Sequence, residues 1–146
     1  MITLGENRLN CCESTLVRVN EILSLPEFGK CVLRQASNMG GGVAGWGSAC
    51  GAVTGAAMAI GLMLGTDGDE GPQEFKMKRD HMRDVTQEFL TSFEEKWGSV
   101  NCMDLLGVDR RTEEGKTEYE RLKAEGVFLC EDYVAWASEK VIELLE

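Results

Sequence analysis

From Gln35 to Thr66 the chain carries no charged residue, and this stretch constrains the fold more than any other. A segment of that length without charge must either cross a membrane or be enclosed by the rest of the protein. A span needs about 20 strongly apolar residues, flanked by aromatic or basic anchors. Here the apolar part, Ala49 to Leu64, is diluted by Gly51, Thr54, Gly55 and Gly61 and lacks an aromatic belt or basic cluster. The sequence therefore predicts no stable membrane insertion but a helix over 49–64, capped by Ser48 and buried at the centre of a helical domain. Gly51, Gly55 and Ala59 recur every fourth residue, with Ala52 and Ala56 beside them. Such spacing lets a second element approach closely. Because each helical glycine costs about 1 kcal/mol relative to alanine, the pattern predicts that backbone, or a bound group, lies close to Cys50.

The remaining elements assemble around that helix. Asn10 caps a helix over 11–24 in which Glu13 completes a capping box, and Pro26 lies just past its end. A short helix over 28–38 carries Cys31 as a half-buried thiol. A long amphipathic helix over 73–97 presents Phe75, Met82, Val85, Phe89, Phe93 and Trp97 at helical spacing and is stopped by Gly98. A small helix starts at Cys102 and ends near Gly107, another runs from Thr112 to about Ala124 before Gly126, and the last covers 129–145. Period-two alternation is rare, so the fold class is all-α: one domain over 1–146, a bundle of five to seven helices with a glycine-rich loop before the central one.

That loop, Met39 to Gly47, matches a Gly-x-Gly-x-x-Gly pattern at Gly40, Gly42 and Gly45, with Asp67 at a suitable distance. The dinucleotide fingerprint needs a β-strand before it and another after the helix, and neither flank reads as a strand. Asp67, Asp69 and Glu70 lack the twelve-residue pattern of a calcium loop. His81 is the only histidine and reads as a solvated side chain, so neither a Cys₂His₂ zinc site nor a Ser-His-Asp triad assembles.

Net charge is −10. Residues 1–66 balance Glu6, Glu13, Glu21 and Glu27 against Arg8, Arg18, Lys30 and Arg34, so the excess lies in 67–146. Repulsion argues against nucleic acid or an anionic membrane as partner and favours a basic one. The N-terminus lacks a basic segment followed by an apolar run, which predicts a cytoplasmic, reducing setting. In 146 residues, 43% of them hydrophobic, a core forms without crosslinks, so the six cysteines are not needed as staples.

Position sorts those cysteines. Asn10-Cys11 and Asn101-Cys102 share the pattern Asn-Cys-x-acid, Ser48 precedes Cys50 by two residues, and Cys130 opens the last helix. A thiol in the first turn of a helix sits among unpaired N–H groups that favour its thiolate. Cys12 instead falls on the stripe of Leu16, Val19 and Leu23 and reads as a small buried hydrophobe, while Cys11 is turned about 100° away from it.

Four cysteines near four helix starts, Cys11, Cys50, Cys102 and Cys130, join Cys50-Gly51-Ala52-Val53-Thr54-Gly55, the glycine-rich loop before it and the segment Gly98-Ser99-x-Asn101-Cys102-x-x-Leu105-Leu106-Gly107. Over nearly its whole length the chain thereby resembles a bacterial and archaeal family of small proteins, defined by a Cys-Gly-Ala-x-x-Gly motif and four cysteines, to which redox activity is ascribed. The resemblance implies a helical domain of about this size with Cys12 and Cys31 outside the pattern.

Two chemistries can use the four thiols. In one, Cys50 is a thiolate of lowered pKa that attacks a disulfide or oxidised sulfur species, and Cys11, Cys102 or Cys130 resolves the intermediate, with Trp46 and Gly47 as a docking lip. This needs no cofactor and takes as partner a redox protein or a small sulfur-containing substrate. In the other, Cys11, Cys50, Cys102 and Cys130 together bind an iron–sulfur cluster or zinc. A non-catalytic adaptor with ordinary buried thiols is the third reading, and the closely packing central helix is compatible with a homodimer.

Overall fold

The computed structural model describes residues 1–146. Two short strands, β1 (Thr3–Leu4) and β2 (Asn7–Arg8), pair antiparallel with Thr3 opposite Arg8. Seven helices follow: α1 (Cys11–Leu23), α2 (Lys30–Ala36), α3 (Gly51–Leu64), α4 (Pro72–Trp97), α5 (Cys102–Leu106), α6 (Glu113–Glu125) and α7 (Cys130–Leu145). The fold is all-α, with the hairpin as its one sheet. No helix is long and apolar enough to cross a membrane.

The uncharged α3 lies at the centre as expected. Helices α1, α3 and α7 pack pairwise on one another, and α4 lies against α3 and α7. Leu16 and Val19 of α1, Ala52, Ala56, Ala59 and Ile60 of α3, Phe89 and Phe93 of α4, and Val134, Ala137 and Val141 of α7 are buried in one core. Each fully enclosed large side chain of this set contributes about 1.5–3 kcal/mol by leaving water. Between α4 and α7 the core is aromatic: Phe93 meets Tyr133 and Trp136 at centroid distances of 6.1 and 5.7 Å, and Trp97 stands edge-on to Tyr133 at 5.0 Å. These are favourable offset and edge geometries.

The glycines of α3 have a structural cause. A Cβ on Gly51 would stand 2.7 Å from Cβ of Cys11, and one on Gly55 would stand 2.7 Å from the carbonyl oxygen of Cys12. The first turn of α1 thus rests on the first turns of α3 with no room for a methyl group, and the element predicted to lie near Cys50 is the backbone of Cys11 and Cys12.

Helix boundaries follow the caps. The Asn10 side chain accepts from the Glu13 N–H at 2.9 Å while the Glu13 carboxylate accepts from the Asn10 N–H at 2.7 Å, completing the capping box. Thr112 caps α6, and Gly98, Gly107 and Gly126 end α4, α5 and α6 in the left-handed conformation. One expectation is corrected. Helix α3 begins at Gly51 with Cys50 as its cap residue, because Ser48 and Cys50 are drawn into backbone bonds with the segment before α5: the Cys50 N–H donates to Val100 at 2.8 Å and the Cys102 N–H to Ser48 at 2.7 Å. The second Asn-Cys-x-acid pattern forms no capping box, since the Ser99 hydroxyl accepts from the Asn101 N–H at 3.0 Å and donates to Asp104 at 2.8 Å.

Candidate functional site

Three helices open on a cysteine, Cys11 in α1, Cys102 in α5 and Cys130 in α7, and α3 is capped by a fourth, Cys50. Three local arrangements bring these helix starts together. The close α1–α3 contact sets Cys11 beside Gly51. The antiparallel bridge between Ala49 and Asn101 fixes Cys50 relative to Cys102. Packing of α7 on α1 and α3 carries Cys130 to the same end of the bundle. All four side chains line one small cavity of about 60 Å³, together with Gly51 and Arg110. That is the liquid volume of about two water molecules.

Cys11 and Cys130 also stand on the wall of a second, open cleft of about 670 Å³, a size typical of small-ligand sites, which run about 300–1,000 Å³. Arg8, Arg110, Lys123, Tyr119 and Phe128 form much of its remaining wall. The rings of Tyr119 and Phe128 stack at 5.2 Å. The Arg110 guanidinium lies 4.0 Å from the Tyr119 centroid, in cation–π geometry. Gly41 makes room for it, since a Cβ there would meet Nη1 of Arg110 at 2.6 Å. Helix α6, which supplies Tyr119 and Lys123, buries none of its residues in the core and serves as the outer wall.

The four thiols differ sharply in acidity. Cys11 and Cys130 shift one another in opposite directions, and their mutual side-chain interaction is the largest cause: Cys130 is lowered below the ordinary thiol range and Cys11 is raised above it. Burial opposes the drop at Cys130, whereas Arg110, its own N–H and Arg8 support it. Burial also raises Cys11. The two therefore titrate as a coupled pair. Burial pushes Cys50, only 5% exposed, up to about 12. The N–H groups of Ala52 and Val53 pull it down, as expected of a thiol at a helix start, and the nearby Cys102 and Cys130 add to the rise. Desolvation prevails over the helix end, so the lowered pKa predicted for Cys50 falls to Cys130 instead. Cys102 is raised by burial first and by Cys130 second, with Arg110 opposing.

Cys12 is fully buried as anticipated, its thiol 3.6 Å from Sδ of Met58. Cys31, expected half-buried, is exposed, because α2 buries only Val32 and Ala36. Trp46 is 60% exposed with Arg111 over its ring at 5.2 Å and lines neither cavity. His81 is exposed. The carboxylates of Asp67, Asp69 and Glu70 gather on the surface, where Glu70 accepts from the N–H groups of Asp67 and Gly68.

Thiolates of Cys11, Cys50, Cys102 and Cys130 around the inner cavity are the donor set that zinc or an iron–sulfur cluster takes.

A helical domain that gathers four helix-start thiols at one end has the arrangement of a redox-active class. The chain belongs to the family described as "Putative redox-active protein (C_GCAxxG_C_C)", whose model matches residues 9–144. The description spells Gly-Cys-Ala-x-x-Gly, where this chain reads Cys50-Gly51-Ala52-Val53-Thr54-Gly55. No curated protein and no solved structure matches it.

Proposed function

We propose that the protein carries out thiol–disulfide exchange with Cys130 as nucleophile and Cys11 as resolving thiol. The observation that carries this reading is that Cys11 and Cys130, the two half-buried thiols of the four, stand together on the wall of an open cleft while Cys50 and Cys102 are buried behind them. The Cys130 thiolate attacks one sulfur of a disulfide, and the S–S electron pair leaves with the other sulfur as a thiolate that takes a proton from solvent. Cys130 then bears no charge, so the hydrogen bond and repulsion that hold the proton on Cys11 vanish. Cys11 ionises, attacks the Cys130 sulfur and releases the second thiolate, leaving a Cys11–Cys130 disulfide. Two electrons have moved from the protein dithiol to the substrate. An external dithiol, on a redox protein or a small molecule in a reducing compartment such as the cytoplasm, returns them.

Cys50 and Cys102 stand behind this couple on the inner cavity. Their raised pKa values keep them as thiols at neutral pH, so they do not compete for the substrate. An iron–sulfur cluster held by Cys11, Cys50, Cys102 and Cys130 is the second reading, favoured by the approach of four thiols from four helix starts.

Trapping experiments test the exchange. Reduced Cys11→Ala protein treated with bis(2-hydroxyethyl) disulfide is expected to accumulate a stable adduct on Cys130, whereas Cys130→Ala forms none. Adducts on Cys50 with Cys130 unmodified would reverse the assignment. Uniform inertness of the native protein would favour the adaptor.

A further inference from the structure

The outer cleft has a polarity opposite to that of the molecule around it. The chain carries −10 overall, yet the cleft is lined by the cations Arg8, Arg110 and Lys123 and by Met1, whose ammonium pairs with Glu131 at 3.1 Å, against the carboxylates Glu131 and Asp132, four positive charges to two negative. Arg8 is engaged with Glu131 at 3.3 Å. Arg110 and Lys123 belong to none of the ion pairs of the protein. Both sit over the same ring, with the Arg110 carbon 4.0 Å and the Lys123 nitrogen 5.8 Å from the Tyr119 centroid. An aromatic ring holds a guanidinium in place without consuming its N–H donors, so these cations are positioned but not neutralised. They stand beside an apolar shelf of Tyr119 and Phe128 on the cleft that Cys130 lines.

We propose that this cleft selects small disulfides bearing negative charge, with carboxylate or phosphate groups held by Arg110 and Lys123, the carbon skeleton on Tyr119 and Phe128, and the S–S bond at Cys130. The proposal rests on the Cys130/Cys11 reading and adds the substrate class. The chemical step is the exchange already described, with each substrate sulfur leaving as a thiol and the cysteine pair becoming a disulfide. Regeneration takes an external dithiol.

The experiment measures single-turnover oxidation of the reduced full chain by disulfides that differ in charge: 3,3′-dithiodipropionate, neutral bis(2-hydroxyethyl) disulfide and cationic cystamine. Oxidised 4′-phosphopantetheine supplies a phosphate arm that separates phosphate from carboxylate recognition. Each rate is divided by that of the same disulfide with 2-mercaptoethanol to remove intrinsic reactivity. An anionic disulfide is expected to exceed cystamine by about tenfold or more, the lower end of what a focused field does to association rates. The preference should shrink as salt is added. Lys123→Gln, on the exposed face of α6, should shrink the preference, whereas Arg110→Gln should slow every disulfide, because Arg110 also supports the Cys130 thiolate, and slow the anionic ones most. Cystamine matching or exceeding both anionic disulfides, as the net charge of the chain alone would dictate, overturns the proposal. Oxidation of the pair by all four at equal normalised rates defeats this inference alone, whereas oxidation by none defeats the exchange reading beneath it.

Discussion

Adding one methyl group at Gly51 tests whether the α1–α3 contact builds the thiol site. On propensity alone, Gly51→Ala should stabilise α3 by about 1 kcal/mol. The new Cβ would lie 2.7 Å from Cβ of Cys11 and 3.0 Å from the backbone nitrogen of Cys12, whereas carbon atoms in contact prefer about 3.5–4.0 Å. Relief requires the start of α1 to retreat by about 1 Å from α3, and overpacking of this kind costs about 1–3 kcal/mol. Overall, Gly51→Ala should gain nothing and lose up to about 2 kcal/mol, lowering the thermal midpoint by up to about 8 °C for a chain of this size. Gly61 in the same helix is the control, because a Cβ there meets nothing within 4 Å. Gly61→Ala should raise the midpoint by about 2–4 °C. Calorimetry of both variants at one pH decides the matter. Stabilisation by Gly51→Ala to the extent seen at Gly61 would mean that α1 does not rest on α3 as described, and the placement of Cys11 would fall with it.

Among the four helix-start cysteines, alkylation at neutral pH should single out Cys130, with its rate following the thiolate down to a pH below the usual thiol value of about 8.5. Cys11→Ala removes the donor that stabilises the thiolate, so the midpoint must move up, by about 1–2 pH units for a hydrogen bond to a charged group; an unmoved midpoint would show that the pair is uncoupled. Cys12 and Cys50, pushed up to about 11 and about 12 chiefly by burial, keep protons that the unfolded chain releases from about pH 8.5. Their contribution is full below that pH and declines as pH rises, so denaturant midpoints should fall across roughly pH 9–11, less steeply in Cys50→Ala; a flat profile would contradict the burial of these thiols. Native protein should be alkylated readily at Cys31, which is exposed, and not at Cys12, which is enclosed, and peptide mapping reads both.

Much of the fold was legible because its signals are local. Asn10 with Glu13, Thr112 before α6 and glycine at positions 98, 107 and 126 each act within one turn of chain, and they mark the helix ends observed. The absence of charge from Gln35 to Thr66 predicted the central place of α3, and its glycines signalled a close neighbour. What stayed hidden is non-local. The acidity of a thiol depends on how much protein covers it, and no helix-start rule conveys that α1, α5 and α7 bury Cys50 while leaving Cys130 a partner in Cys11. Arg110, Tyr119 and Lys123 were not singled out, since they meet Cys130 only through the return of the chain after α5; the spacing of Tyr119 and Lys123 by four residues, one face of α6, was the available trace. The exposure of Cys31 is not legible because the two turns of α2 carry too little periodicity to define its buried side. The hairpin of β1 and β2 has two residues per strand, too few for alternation to show.

The central claim is that Cys11 and Cys130 form the redox couple. Mass-spectrometric mapping of the disulfides in protein quenched in acid after titration from reducing to oxidising dithiol buffers tests it most directly. The first and only crosslink to appear is expected to join Cys11 to Cys130, with Cys50 and Cys102 recovered as thiols. A first crosslink between Cys50 and Cys102, or no crosslink at any potential, would contradict it.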